Sequence, residues 1–335
     1  MKIIFLVFTI LLVVVSACAV TAHAQPVALL PFENFSNNKD ALAYVMPALT
    51  AKLKEKGFET IDDESLFRFL CKERIRSTAY ISKEQAQKAG EALGTKAILA
   101  GAVISFSSEE NPQIGLLARL IDSSTGFILW ADHAFFAGDD FAGILGLGSI
   151  KSIDGLTYKA VDRLLASFHA GPSPKEAESV YRIAVIPFQN KSKYRNAGMI
   201  ATYMFLTELF RNQMYEPIEY GDVRKLVVEY RIINKGELDF YTIEALSRNL
   251  GVSGILLGTV EQYPDVVESS LQTTVAMTVR LLDARNNKIL WYNTRQSNGG
   301  KAIIAFDWGE TRTVDKIAYS VVSELSKKMK TAKWR

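Results

Sequence analysis

The sequence repeats itself, and this repetition limits the available folds more than any other feature does. The segment VALLPFENFSNN, which begins at Val27, has a close relative, IAVIPFQNKSKY, which begins at Ile183. Two further matches follow in the same order: LGTKAILAGAV with LGVSGILLGTV, and RLIDSSTGFILW with RLLDARNNKILW. A unit that recurs in this way is expected to form the same structure in each copy.

The spacing between matched residues changes little along the chain. Pro31 and Pro187 lie 156 residues apart, whereas Arg119 and Arg280 lie 161 residues apart. The difference of five residues (161 minus 156) needs only one short insertion in the second copy, ahead of Arg280. We therefore predict two tandem copies of one module.

We predict two domains of ordinary size joined by a polar linker. The first occupies residues 25–168, and the second occupies residues 181–335 and ends in a basic tail. The linker, residues 169–180, contains HAGPSPKEAES and is rich in Pro, Gly and Ser. The chain has 335 residues, of which 48% are hydrophobic and 22% charged, so each domain can have its own core.

Both copies predict the same order of secondary structure, β-α-β-α-α-β-β-β-α. The first strand is a continuous apolar run, which is typical of a strand covered on both faces. The last two strands are joined by residues that suit a hairpin turn, and the matched Trp130 and Trp291 should occupy equivalent positions on the last strand. The predicted fold class is α/β (α+β): two tandem copies of a small mixed β-sheet with packed helices.

Two residues in the helices of the first copy carry specific expectations. Pro47 is tolerated best in the first turn of a helix, so we expect that helix to begin near Tyr44. Cys71 is level with a helical stripe formed by Leu66 and Leu70, so we expect a buried, inert thiol. A reactive thiol would need a basic partner, which the sequence does not identify.

The N-terminus has the pattern of a bacterial export signal. Lys2 precedes the apolar run IIFLVFTILLVVV, and small residues follow that run. Cleavage before Gln25 would remove residues 1–24 and release a soluble protein, whereas cleavage before Cys18 would remove residues 1–17 and leave a lipidated cysteine. Both sites stay open. In either case we predict a periplasmic protein, tethered to the outer membrane if Cys18 carries a lipid.

The three repeated blocks resemble a family of bacterial envelope domains. The shared phrases are an apolar strand ending in Pro-Phe-x-Asn-x-Ser, then LGxxxILxGxV, then RLxDxxxxxILW, once per copy. The family includes the periplasmic domain of CsgG, the amino-terminal domain of TolB and FlgO-like lipoproteins. The resemblance implies non-enzymatic work in envelope assembly, docking or scaffolding. Neither copy has a second insertion long enough for a membrane hairpin, so we expect no pore.

Few residues could carry catalysis or bind a metal. The chain has three histidines, and a metal site can be considered for His133, which stands beside Asp132. Neighbours on a strand point to opposite faces and no ligand spacing supports a site, so we predict no metal and no cofactor. No nucleophile elbow or Ser–His–Asp order stands out, so we predict that the protein is not an enzyme.

The repeated Asp and Arg residues have structural interpretations. Asp122 and Asp283 open the hairpin turns, where a carboxylate accepts hydrogen bonds from backbone N–H groups. Arg119 and Arg280 recur at equal spacing before them, which favours packing or a shared ion pair over a binding patch.

One apolar segment differs between the copies, and we predict a docking site there. After its last strand the first copy carries FAGILGLGSI, from Phe141 to Ile150, whereas the second copy carries AIIAFDWGET. Core segments should match between copies, so a divergent apolar loop indicates an interaction site. The predicted docking residues are Phe141, Ile144, Leu145 and Leu147. The alternative is that this loop covers the sheet end or the joint between the copies.

The predicted partners are envelope proteins, with self-association left open and nucleic acid excluded by export. The favoured function is an assembly or docking factor for an outer-membrane or secretion-type machine, without its own pore. Two alternatives remain. One is a periplasmic small-molecule receptor that uses the cleft between the copies, and the other is a hydrolase, which the missing catalytic constellation disfavours.

Overall fold

A computed structural model gives the structure of residues 26–142, 148–169, 181–232, 238–264, 273–299 and 313–334. These residues form eight α-helices, eleven strands and a short 3-10 helix, arranged around two mixed β-sheets. The predicted fold class, α/β (α+β), is therefore confirmed. In the described part of the chain, no helix is both long enough and apolar enough to cross a membrane.

The N-terminal segment and most of the linker fall outside the described residues. The predicted export signal, which includes Cys18, precedes residue 26, and residues 170–180 of the linker are likewise outside. The domain boundaries therefore stay predictions. The strands of each sheet nevertheless come from one predicted copy, and these copies are called the first and second repeat below.

The first repeat forms a five-stranded sheet. Its strands are β1 (Val27–Leu29), β2 (Glu33–Asn34), β3 (Ala97–Ser107), β4 (Gln113–Asp122) and β5 (Ile128–Ala137). Its helices are α1 (Ala41–Glu55), α2 (Asp63–Lys72), α3 (Lys83–Leu93) and α4 (Ile153–Leu164). The strand order is β1-β3-β4-β5, with β1 and β2 parallel to β3 and the last three strands antiparallel.

The second repeat forms a six-stranded sheet on the same plan. Its strands are β6 (Tyr181–Val185), β7 (Gln189–Asn190), β8 (Tyr215–Pro217), β9 (Gly254–Gln262), β10 (Thr274–Asp283) and β11 (Ile289–Asn298). Its helices are α5 (Ala197–Arg211), α6 (Tyr220–Glu229), α7 (Phe240–Leu250) and α8 (Val314–Met329). The order is β11-β10-β9-β6-β8. The predicted short strand after the first helix is β8 here, whereas the first repeat has a single bridge between Val27 and Thr60.

Strand register places the matched tryptophans at equivalent points. Trp130 on β5 lies opposite Leu120, and Trp291 on β11 lies opposite Leu281. The members of each pair sit at the same distance from their hairpin turn. The prediction that both tryptophans occupy equivalent positions on the last strand is confirmed.

The repeated Pro-Phe and Leu-Gly motifs meet in one packing contact. The ring of Phe32 lies so close to β3 that a side chain on Gly101 would clash with it. Phe188 stands in the same relation to Gly258 of β9. Because only glycine leaves room beneath the ring, the phenylalanine and the glycine recur together.

The Asn-x-Ser part of the motif forms a turn. Oδ1 of Asn34 accepts hydrogen bonds from the backbone N–H (3.0 Å) and the hydroxyl (2.6 Å) of Ser36. Asn190 makes the same pair of contacts with Ser192, at 2.9 and 2.7 Å. These polar residues therefore stabilise the loop that leads into the first helix of each repeat.

Two expectations about the first repeat are wrong. Helix α1 begins at Ala41 rather than near Tyr44, so Pro47 lies inside the helix, in its second turn. Pro47 is exposed, and water can therefore solvate the carbonyl group that loses its helical donor. Cys71 is exposed rather than buried, because α2 turns the neighbouring Leu70 towards the core.

Helix α5 is packed between the two sheets. It contacts β8 and β9 of its own sheet and also β4 and β5 of the first sheet, and most of its side chains are buried. The core of the second repeat therefore includes Ala102, Ile104, Leu117 and Phe135 of the first sheet. Helices α1 and α4 cover the opposite face, so the first sheet is buried on both sides.

Candidate functional site at the junction of the two repeats

A buried ion pair joins the repeats. Arg119 on β4 contacts Glu219, the residue before α6, with an Nε–Oε2 distance of 2.9 Å and an Nη2–Oε1 distance of 3.1 Å. The two side chains are 1% and 0% exposed. Arg119 also donates to the carbonyl of Ala79 (2.6 Å), and its guanidinium lies 4.7 Å from the ring of Tyr203. This bidentate geometry fixes the orientation of one repeat on the other.

Arg119 serves the interface as a charge. Burial acts to lower the pKa of Arg119, but the charge and hydrogen bonds of Glu219 outweigh burial and leave the pKa raised. Burial also raises the pKa of the neighbouring Tyr203 well above its usual value. Neither Arg119 nor Tyr203 is therefore poised to exchange a proton near neutral pH. The pair acts as a structural clamp.

A second polar cluster holds β5 against α5 and α8. Arg211 forms an ion pair with Asp132 (3.0 Å) and donates to Nδ1 of His133 (2.7 Å). The imidazole ring packs against the ring of Tyr319, with a centroid distance of 3.8 Å and an angle of 31° between the rings. Burial, followed by the charges of Arg211 and Arg163, lowers the pKa of His133 to about 3. His133 is therefore a neutral acceptor in the interface.

The described residues provide no set of metal ligands around His133. Among them, no group of three or more His, Cys, Asp and Glu side chains could hold a metal ion. The acid beside His133 is engaged by Arg211, as described above.

A third contact inserts a carboxyl group of the second repeat into the first sheet. Asp315, in the first turn of α8, accepts hydrogen bonds from the hydroxyl of Ser105 on β3 and from that of Tyr263 (3.3 Å). A side chain on Gly115 of β4 would clash with this carboxyl group. Burial raises the pKa of Asp315 to about 6. The carboxyl group thus occupies space that only glycine leaves free.

Helix α6 lies directly on the segment that precedes α3. A side chain on Gly221 would clash with the backbone of Ile81. Tyr80 and Tyr220 pack edge to face at 5.2 Å, and Arg224 donates to the hydroxyl of Tyr80 (2.7 Å). Backbone contact of this kind gives the junction the close packing of a domain interior.

A cleft of about 650 Å³ opens beside the ion pair. It is bordered by the hairpin turn of the first repeat, including Phe127, and by residues of α6 and α7. Four cationic side chains line it: Lys83, Arg182, Lys225 and Arg248. Three of them have carboxylate partners, namely Glu216 for Arg182, Glu84 for Lys225 and Glu244 for Arg248. Most of the positive charge around this cleft is therefore already balanced.

Comparison with known proteins leaves the family open. No family model matches the chain, and no curated protein matches it. Lipoprotein GNA1162 from Neisseria meningitidis is similar at 22% identity and a TM-score of 0.32, covering 44% of this chain and 96% of that chain. The PelC dodecamer from Paraburkholderia phytofirmans is similar at 15% identity and 0.32, covering 50% and 96%. TolB from Acinetobacter baumannii is similar at 13% identity and 0.25, covering 45% and 28%. These values establish neither a family nor an activity.

Only part of the predicted docking loop lies in the described residues. Phe141 is half-buried, and its ring lies 5.3 Å from that of Phe136, against the core of the first repeat. Ile144, Leu145 and Leu147 lie outside the described residues. The assignment of this loop as a docking site therefore stays a prediction.

The hairpin aspartates cap their turns, as predicted. Oδ1 of Asp122 accepts hydrogen bonds from the backbone N–H groups of Ser124 (2.9 Å) and Thr125 (2.7 Å). Oδ1 of Asp283 accepts one from the backbone N–H of Arg285 (2.8 Å). Their role in the structure is to stabilise the turns.

Sequence reasoning did not identify the partner of Arg119. Glu219 has Asp62 as its counterpart in the first repeat, and both precede a helix. Asp62 accepts a hydrogen bond from the backbone N–H of Ser65 (2.8 Å) and so caps α2. Two acids at equivalent positions thus differ in role only because the second repeat docks on the first.

The equivalent face of the second sheet is open and polar. Arg280, the counterpart of Arg119, is half-buried, with its guanidinium 5.4 Å from the ring of the exposed Tyr292. The buried residues Ile104, Leu117 and Phe135 of the first sheet have Glu261, Thr278 and Gln296 as their counterparts. The two sheets therefore differ in what their outward faces can bind.

Proposed function

We propose that the protein is a non-enzymatic, exported envelope protein that docks other proteins as an assembly or scaffold factor. The observation that carries this proposal is the junction itself. The first sheet uses its outward face to bind a folded neighbour, the second repeat, through apolar contacts and a bidentate ion pair. A module that already binds a folded unit in this way is suited to docking.

The state of the polar groups supports a role without catalysis. Arg119 and Glu219 bind each other, and His133 is held neutral by burial beside Arg211. A general base would need a pKa nearer to neutrality and room for a substrate within hydrogen-bonding distance. The partners we propose are envelope proteins, with no nucleic acid among them.

Export is the second part of the proposal, and it rests on the N-terminal sequence. The mature protein should begin at Gln25, or at an acylated Cys18 if it is anchored to the outer membrane. Intact mass measurement of the protein purified from cell envelopes distinguishes these two forms. Recovery of the full-length chain from the cytoplasm as the native form would contradict export.

The docking loop provides the sharpest test of function. Ile144→Asp combined with Leu147→Asp places two charges in the segment that we propose as the partner site. Site-specific crosslinking in cells should lose the envelope partner, while the melting temperature stays within a few degrees. If the loop covers the core instead, two unpaired carboxylates would cost several kcal/mol and the melting temperature would fall.

Leu156→Asp is the control for that experiment. Its side chain lies outside the loop and is buried in the core of the first repeat, so this substitution should lower stability. If the loop is a docking site, the double variant should lose the partner and keep its stability, whereas the control variant should lose stability. Equal losses of stability would contradict the docking assignment.

The cleft beside the ion pair supports a second candidate function, a periplasmic small-molecule receptor. Its volume of about 650 Å³ is sufficient for a small ligand. A ligand at a hundred times its dissociation constant raises stability by about 2.7 kcal/mol, so a true ligand would raise the melting temperature. Arg248→Ala, at the rim of the cleft, should weaken that shift. Partner capture without any ligand-dependent shift would favour the docking function.

A further inference from the structure

Asp315 is buried because the repeats dock. It is 4% exposed, and β3 and β4 of the first sheet lie against it. Its counterpart Asp154 lies in the first turn of α4, 161 residues earlier, and is exposed. The same acid at the same helical position is therefore open to solvent in one repeat and enclosed by the interface in the other.

The polar groups that face the carboxyl group of Asp315 are uncharged. Ser105 donates from β3, and Gly115 of β4 lies against the carboxyl group. Tyr263 donates from beyond β9, and burial, followed by the charge of Asp315, raises its pKa well above its usual value. Tyr194 stacks on Tyr263 at 5.6 Å and donates its own hydroxyl to the carbonyl of Phe35.

The charged groups nearby are engaged elsewhere. Lys316, the next residue of α8, forms an ion pair with Asp140, and Tyr319 donates to Glu208. Within the described ranges, no cation contacts the carboxyl group of Asp315. Burial raises its pKa to about 6 in spite of the two hydroxyl donors and the helix N-terminus, which favour the ionised form.

We propose that docking of the two repeats is coupled to proton uptake by Asp315, so that protonation of this carboxyl group tightens the junction and its ionisation loosens it. This coupling involves only the junction between the two repeats, so it does not depend on the proposed envelope partner. An exported protein is exposed to the pH of the medium, so the coupling gives its two repeats a response to that pH.

The direction of the effect follows from the two protonation states. Below the ordinary carboxyl pKa of 3.8, Asp315 is protonated whether or not the repeats are docked. Between 3.8 and about 6 only the docked form keeps the proton, and above this range docking must bury a charge. The stability that Asp315 contributes to docking is therefore complete below 3.8 and is lost as pH rises through about 6. A difference of about two pKa units limits this contribution to about a hundredfold change in the docking equilibrium.

Asp315→Asn tests this coupling in the full-length protein. The amide can keep the hydroxyl contacts without acquiring a charge, so the wild type should lose stability relative to Asp315→Asn as pH rises from 4 to 8. The difference between the two urea midpoints removes the opposite pH dependence of His133, whose pKa burial lowers to about 3. Asp154→Asn is the matched control and should keep the wild-type pH dependence, because that residue is exposed. Equal pH dependence in the wild type and in Asp315→Asn would overturn the proposal.

Gly115→Ala separates docking from a local effect on the carboxyl group. The added methyl group would clash with the carboxyl group of Asp315, whereas Ala276 already occupies the equivalent position on β10. The strand therefore tolerates alanine, and the variant should fold with a weakened junction. Carboxyl NMR, assigned with Asp315→Asn, should then find the pKa of Asp315 shifted towards its ordinary value. An unchanged pKa in Gly115→Ala would contradict the coupling.

Discussion

Arg119 and Glu219 are 100 residues apart in sequence and are both almost fully enclosed at the junction. Desolvation of two charges costs several kcal/mol per ion, and their attraction and hydrogen bonds offset this cost only while both partners are present. The pair therefore contributes orientation more than net stability. A slight rotation of one repeat on the other would break both hydrogen bonds at once.

Removal of one charge should be more harmful than removal of both. Arg119→Met or Glu219→Gln should each lower the free energy of unfolding by about 3–5 kcal/mol, because the remaining partner loses its compensation. The double variant Arg119→Met with Glu219→Leu should recover most of that loss. Urea denaturation of the full-length protein measures all three values.

Arg280→Met provides the control at the equivalent position of the second repeat. Arg280 is half-buried on the open face, so its replacement should cost about 1 kcal/mol or less. If Arg280→Met costs as much as Arg119→Met, the difference in burial does not explain the role of the pair.

At the scale of elements, each repeat depends on a contact between the end of its first strand and its central strand. Phe32 fills the space above Gly101, and Phe188 fills the space above Gly258. This contact explains why two motifs separated by a helical region recur together. It also fixes the point along the central strand from which the loop leads to the first helix.

Gly101→Ala should overpack this contact and lower the free energy of unfolding by about 1–3 kcal/mol. Phe32→Leu shortens the opposing side chain, so the double variant should be less destabilised than the sum of the two single variants. A double-mutant cycle measured by urea denaturation gives the coupling directly. Strict additivity would mean that the phenylalanine and the glycine do not share one space.

Local sequence signals predicted most elements of each repeat. Gly94 and Gly251 end α3 and α7 in the left-handed conformation, and Asp122 and Asp283 cap the hairpins. The start of α1 differs from the prediction because proline only prefers the first turn of a helix. Pro47 is exposed to solvent, and this exposure allows it in the second turn.

The docking of the repeats was not predicted, although the strands carry a signal for it. Strand β4 reads QIGLLARLID, nearly apolar throughout, whereas β10 reads TVAMTVRLLD and alternates at Thr274, Thr278 and Arg280. Continuous apolarity is typical of burial on both faces, and alternation is typical of burial on one. The comparison indicates which sheet is covered. It does not identify Glu219 as the partner of Arg119, since that contact exists only after the repeats have packed.

At the scale of the whole molecule, the two repeats are alike in fold and unlike in their outward faces. The first sheet is enclosed between its own helices and the second repeat, whereas the second sheet presents Tyr292, Gln296 and half-buried Thr278 to solvent. A repeat whose outer face is not covered by a neighbour remains soluble when that face is polar. The open face of the second sheet has this character.

Apolar residues on the open face should therefore cause self-association. The triple variant Glu261→Ile, Thr278→Leu and Gln296→Phe gives this face the residues that the first sheet uses to bind a neighbouring repeat. The complementary surface on α5 is already covered by the first sheet. The new apolar face would therefore be buried against the same face of a second copy, and the variant should form dimers whose fraction rises with protein concentration. Sedimentation velocity over a range of concentrations measures this against the wild type. The three single variants are the controls, because isolated apolar residues are common on protein surfaces and should leave the sedimentation of the wild type unchanged. A triple variant that sediments like the wild type at every concentration would mean that the polar residues of the second sheet do not limit its assembly.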